Sequence, residues 1–346
     1  MKHLNSFIDK LQKAIQCPFF SSFPIMQMQG QEIVEQVRPI LRQRISETNY
    51  DRVAIATRFL RHYFRKCKQN NISPLEALSS FFVKSSLFNS GNSCVGLSLD
   101  LLHHLPKKIK GYPVAAVLAK HYQQFAGPLY SHVAAVIAFQ DPKNNEKNGF
   151  VLLDPSFHIA EPILLFKNGS SVAIDMGDKK GVWTFSLEGN EIFCRAAPKE
   201  LSTSWSDEKI KDATMIYRTD YFCNPEKGYA IHQLPIDKSL PIVSRKENGE
   251  QKAHINVDLR KNEVVWKIDN NKKESITFED LLQGRITFDE KIYSLLGFSK
   301  KKFLNMIMVI VKNKAIFDEL YGDYLKLLQQ HSFFAQNLRH PDEIVV

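Results

Sequence analysis

Apolar positions recur every three or four residues over the first quarter of the chain, then give way to short, nearly continuous apolar runs. Leu4, Phe7, Ile8, Leu11 and Ile15 share one helical face, and Ile33, Val34, Val37, Ile40 and Leu41 share another. Pro39 inside the second stripe predicts a kink or break there. Val53, Ala56, Phe59, Leu60, Tyr63 and Phe64 form a third stripe, with basic residues on the opposite face. Ser73-Pro74-Leu75-Glu76 reads as the start of a fourth helix, with serine as cap and proline in the first turn. These stripes are read as packing faces rather than partner-binding or membrane-surface faces. Ser85 to Ser93 is polar and contains Gly91, so it is expected to be a loop. Cys94 to Leu105 then aligns Leu97, Leu101 and Leu105 on one face and ends at Pro106, the pattern of a buried helix.

Beyond it the period shortens. Tyr112–Ala119, Val133–Phe139 and Gly149–Leu153 are apolar, β-rich runs expected to be consecutive strands, with a charged turn (DPKNNEKN) between the last two. Ile163–Phe166, Val172–Ile174, Val182–Leu187 and Ile192–Cys194 are short strands broken by Asn-Gly and Gly-Asn turns, which predicts a barrel-like or sandwich-like middle. A further set follows at Met215–Arg218, Ile242–Arg245, Ala253–Leu259 and Glu263–Ile268. Helical spacing returns at Phe278–Leu282, Phe288–Leu296, Phe303–Val311 and Ala315–Gln330, and the last fifteen residues read as a partly mobile tail. The fold class is therefore α+β, and 346 residues suffice for more than one core. The expected division is 1–110, helical; 111–205, β-rich; and 206–346, an α/β lid-like unit with helices at its C-terminal end.

Composition changes this picture little. A net charge of +9 rests on short, scattered basic runs such as Lys300-Lys301-Lys302, read as solvated surface; no nucleic-acid motif accompanies them. The amino-terminal stretch is amphipathic and charged rather than a secretory signal, and no apolar run reaches the roughly 18 residues of a membrane span. Five cysteines, odd in number and without a Cys-x-x-Cys pair, suggest neither a disulfide framework nor a zinc site. The expectation is a cytoplasmic protein, or one secreted without a signal, whose thiols stay reduced.

One cysteine has a chemical setting. Cys94 follows a Gly/Ser/Asn loop and opens a helix, where unpaired amides and the helix dipole favour a thiolate and could bind an oxyanion. His132 opens one expected strand, and Asp154 closes the next. If the two strands pair as an antiparallel hairpin, the start of one neighbours the end of the other. Cys94, His132 and Asp154 then supply nucleophile, base and orienter. The bland readings are a structural cysteine, a surface histidine and an aspartate that initiates a turn before Pro155. His158 is a rival base, and Asp141 a rival acid in what reads as an exposed connection. His103 and His104 lie too far along the helix of Cys94. Asn89 or Asn92 could assist an oxyanion but more simply make turns. A metal site on His121, His132 and His158 lacks tight ligand spacing. Cys17, Cys67, Cys194 and Cys223 are taken as inert.

These clusters (NSGNSCVG, SHVAAVI and LLDPSF) resemble the papain-like superfamily, in the branch that holds arylamine N-acetyltransferases and transglutaminases. The acetyltransferases fit best, and the segments Met215 to Ile268 and ITFDEKIYSLLGF are similar to their third domain in order of elements. Their Arg-Gly-Gly-x-Cys-x-Glu motif is only partly kept, for the arginine and the glutamate are absent around Cys94. The resemblance implies cysteine-dependent acyl transfer through a thioester enzyme intermediate. No bound cofactor is implied; acetyl-coenzyme A or another acyl donor would be a substrate, with an amine as acceptor. The alternatives are transglutaminase-like crosslinking or deamidation of a protein glutamine, thiol protease or amidase chemistry, and a catalytically dead binding module.

Overall fold

The computed structural model describes residues 25–66, 71–82, 94–106, 109, 115–121, 132–144, 147–157, 159–169, 171–175, 182–189, 191–197, 214–223, 238–268, 273–285 and 288–330. The expected first helix over Leu4–Ile15, the loop over Ser85–Ser93 and the tail lie outside them. Among the described residues the fold is α+β with two sheets, and no helix is long and apolar enough to cross a membrane.

Helix α1 (Gly30–Glu47) is continuous through Pro39, so the helix does not break there. Pro39 is exposed, so water can take the carbonyl its ring leaves unpaired, while Ile33, Val34, Val37 and Leu41 hold the helix to the core. Helix α2 (Arg52–Lys66) follows, and helix α3 (Pro74–Phe82) begins as the sequence predicts. There Ser73 Oγ accepts the Glu76 N–H at 3.2 Å and Glu76 Oε2 accepts the Ser73 N–H at 3.2 Å, a reciprocal capping box. Helix α4 (Cys94–His104) is the buried helix.

Strands β1 (Met26–Gln27), β3 (Ala115–His121), β4 (His132–Gln140), β5 (Gly149–Leu153), β6 (Ile163–Phe166), β7 (Ser171–Asp175), β8 (Val182–Glu188), β9 (Glu191–Ala197) and β10 (Thr214–Cys223) make the first sheet. Its order is β6-β5-β4-β3-β10-β9-β8-β7, with β1 parallel to the far end of β4. The expected barrel does not close among the described residues. The sheet coils until β6 lies against β7 and β8, without a ladder between these ends. Alternate residues of β4 and β5 enter two cores. Ala135, Ile137, Phe139, Val151 and Leu153 pack with α1 and α4; Ala134, Val136, Phe150 and Leu152 pack inside the coil with Phe185, Ile192 and Tyr217. Burial on both faces explains why these strands read as continuous apolar runs.

The segment expected at Met215–Arg218 belongs to β10, and so to the first sheet rather than to the later strand set. The second sheet has the order β14-β13-β12-β11-β2, from β2 (Tyr50–Asp51), β11 (Ser239–Arg245), β12 (Gln251–Asp258), β13 (Glu263–Ile268) and β14 (Glu274–Thr277). Helices α5 (Phe278–Leu282), α6 (Glu290–Leu295), α7 (Lys300–Lys312) and α8 (Lys314–Gln330) complete the chain. A third core joins residues of α2 and α3 to this sheet and these helices, through Phe59, Leu78, Ile255, Trp266, Phe303 and Phe317.

Candidate active site

Cys94 is the first residue of α4 and is buried, at 5% exposure. Leu97, Leu101 and Leu105, spaced by four, are buried, and the helix packs on β4 and α1. A half-buried ion pair fixes this docking. Arg44 donates through Nε to Asp100 Oδ2 at 2.7 Å and through Nη2 to Asp100 Oδ1 at 3.1 Å, bridging α1 to the middle of α4.

His132 opens β4, and its backbone pairs with Ala119 of β3. On the other side Ala135 pairs with Leu153, the last residue of β5, so the expected hairpin forms. Extending that register by one residue sets Asp154 opposite Ala134, two residues from His132. In ideal antiparallel strands the two Cα atoms would be roughly 8 Å apart. The side chain of His132 lies outside what is described.

Asp154 is fully buried, and its oxygens divide two tasks. Oδ1 accepts the N–H groups of Ser156 (3.1 Å) and Phe157 (3.2 Å), the turn-forming job of an aspartate before proline. Oδ2 accepts the hydroxyl of Tyr217 from β10 at 2.9 Å. A buried carboxylate is costly without compensation. Arg245 of β11, also buried, donates to the carbonyls of Pro155 and of Ser156 (2.9 Å to the latter), so the second sheet clamps the Asp154 turn. Burial lowers the Arg245 pKa to about 10, opposed by the attraction of Asp154, and the guanidinium remains charged at neutral pH. Burial raises the Tyr217 phenol well above its ordinary value, with the Asp154 charge adding to it. The Cys194 thiol is raised by the same two causes, which suits the inert role expected of it.

Tyr217 and Arg245 are the residues that sequence reasoning missed. The available signal was an arginine ending the apolar strand SLPIVSR, where a charge needs a buried partner.

Among the rivals, Asp141 is buried, not exposed as expected, because its Oδ1 takes the Lys143 N–H at 2.8 Å and folds inward with the turn. It follows the far end of β4, about 30 Å from His132 at strand rise, and cannot orient that ring. His103 and His104 sit in the last turn of α4, about 14 Å along the axis from Cys94. His104 Nδ1 meets the Asp100 carbonyl at 2.8 Å. His158, Asn89, Asn92, Cys17 and Cys67 lie outside the described residues. Among those described, no group of three or more His, Cys, Asp or Glu could hold a metal ion.

No protein-family model matches the chain, and no curated protein matches it. Among solved structures it is similar to a variant of an N-arylamine acetyltransferase from Mycobacterium smegmatis, at 13% identity, covering 92% of this chain and 98% of that one, with a TM-score of 0.45.

Proposed function

We propose that this chain is a cysteine-dependent acyltransferase of papain-like arrangement, with Cys94 as nucleophile, His132 as base and Asp154 as the group that holds the imidazole. The observation that carries the reading is the sheet end at Asp154. There a wholly buried carboxylate follows β5 beside the start of β4, which His132 opens, and the helix that Cys94 opens packs on β4.

In the proposed reaction the His132 imidazole takes the Cys94 proton, and the thiolate sulfur attacks the carbonyl carbon of an acyl donor. The C=O pair moves onto oxygen, where the backbone N–H of Cys94 donates to it. Collapse expels the donor's leaving group, which receives the proton from the imidazolium, and leaves a thioester on Cys94. An amine then attacks that thioester and gives its proton to His132; the product amide departs, and the thiol recovers the proton.

The test is incubation with acetyl-coenzyme A followed by intact mass and peptide mapping. One added acetyl group on Cys94, absent in Cys94→Ala and discharged by an arylamine, is the expected result. Ammonia release from a glutamine substrate, lost in the same variant, would redirect the reading to transglutaminase-like chemistry. A thiol probe that labels other cysteines and spares Cys94 in the folded protein would overturn both.

A further inference from the structure

A cavity of about 1230 Å³ lies elsewhere among the described residues, and neither Cys94, His132 nor Asp154 lines it. It lies between α1, α2, the start of α7 and the middle of α4. Six cationic side chains face it: Arg44 of α1, Arg58, Arg61 and Arg65 of α2, and Lys301 and Lys302 of α7. The three α2 arginines follow at spacings of three and four, which stacks them along one helix face.

Three carboxylates line the same space, and each is already committed. Glu47 and Asp100 are both engaged by Arg44, at 2.7 Å each. Asp51 is buried and caps α2 by accepting the Ala54 N–H at 2.8 Å. Among the described residues, no carboxylate is within ion-pair distance of Arg61, Arg65, Lys301 or Lys302. The lysines add a second mismatch. They occupy the first turn of α7, which contains no acidic residue, so their charge opposes the positive end of the helix dipole. A multivalent anion would relieve both repulsions.

The remaining wall is shaped for an organic body. Leu60, Phe64, Phe298, Met306 and Val309 line it, and the Lys302 ammonium lies 5.2 Å from the Phe298 ring centroid. The wall is also fixed, since Asn49 Nδ2 donates to the Leu296 carbonyl at 2.7 Å and ties the start of β2 to the segment before α7. The volume exceeds the roughly 300–1000 Å³ of a typical small-molecule site, which leaves room for several phosphate groups as well as an organic body. We propose that this cavity binds a small molecule or lipid headgroup bearing two or more phosphate groups, held by Arg58, Arg61, Arg65, Lys301 and Lys302.

The test is calorimetric titration of the full chain with inorganic tripolyphosphate and, separately, with inorganic phosphate, at about 0.15 M salt to screen diffuse attraction. Tripolyphosphate should bind at least about tenfold more tightly than phosphate. The exposed pair Arg61→Gln/Arg65→Gln should weaken it by about tenfold or more, while Lys143→Gln/Lys147→Gln, which removes the same charge elsewhere, should leave it unchanged. Flotation with phosphatidylcholine vesicles containing a phosphorylated inositol lipid separates the sources. Retention on vesicles that tripolyphosphate reverses identifies a headgroup, and binding of tripolyphosphate without retention identifies a soluble ligand. No binding in either arm, or equal losses in the two double variants, overturns the proposal. Cys94→Ala should bind as the wild type does, so this site and the acyl-transfer reading stand or fall separately.

Discussion

Replacing Tyr217 by Phe tests whether the buried carboxylate of Asp154 depends on its phenol partner. The ring stays, so no side-chain-sized void opens; what leaves is one hydroxyl that donates to Oδ2 at 2.9 Å inside a fully buried cluster. A hydrogen bond to a charged group contributes about 1.5–3 kcal/mol, and a carboxylate stripped of a donor in the interior has no water to replace it. The two amides on Oδ1 and the charge of Arg245 remain, which argues for the middle of that range. Tyr217→Phe should therefore destabilise the protein by about 2 kcal/mol at pH 7, roughly a thirtyfold change in the folding equilibrium. The assay is urea unfolding followed by circular dichroism, with fluorescence as a second probe. Repeating the substitution in an Asp154→Ala background completes the cycle. There the Asp154 acceptor is already gone, so removing the hydroxyl should cost clearly less than in the wild-type background. A cost below about 0.5 kcal/mol in the wild-type background would refute this reasoning. So would an equal cost in both backgrounds, and the single variant is decisive even if Asp154→Ala does not fold.

Two further predictions concern residues outside that cluster. Burial holds the Asp51 carboxyl at about 6 against an ordinary 3.8, only partly offset by its bond from Ala54 and by Arg58. The folded chain thus binds the extra proton between those values, and its stability should fall by about 3 kcal/mol as pH rises from below 4 to above 6. Asp51→Asn keeps an oxygen to cap α2 and loses the charge, so urea unfolding should show it more stable than wild type at pH 7, without that contribution to the slope; identical slopes would contradict this. At Gly149 an added Cβ would meet the Leu165 carbonyl oxygen at 1.9 Å, backbone of the paired strand, whereas at Gly30 it would meet the side-chain ends of Leu164 and Phe139 at 2.5 Å. Gly149→Ala should cost about 3 kcal/mol or more and Gly30→Ala about 1–2 kcal/mol, an order that chemical denaturation can reverse or uphold.

Local signals were legible in the sequence and long-range ones were not. The start of α3 could be read because Ser73 and Glu76 cap each other within four residues. The pairing of β4 with β5 was visible because two apolar runs flank one charged turn. By contrast, β1 and β2 are two residues long, too short to show any period. The insertion of β10 between β3 and β9 joins segments far apart in the chain, and nothing near Met215 reports it. The partners of Asp154 escaped notice for the same reason, since Tyr217 is 63 residues away and Arg245 is about 90. Cys94 and His132 were visible as the openings of a helix and a strand; the phenol and guanidinium around Asp154 became visible only in three dimensions.

The brief pairing of Tyr50 and Asp51 with Val243 and Ile242 interlaces the molecule. The chain leaves the first sheet's layer after α1, lends an edge and two helices to the second sheet, and returns as α4 to finish the layer it left. A cut between Cys223 and Ser239 would therefore not release two self-sufficient halves. The leading piece would carry Phe59, Leu60 and Leu78 without the sheet and helices that complete their core, and the trailing piece would lack its border strand and part of its packing. During synthesis α2 and α3 must wait for β11 to α8 to emerge, a late closure of the kind that slows folding and invites holding by chaperones.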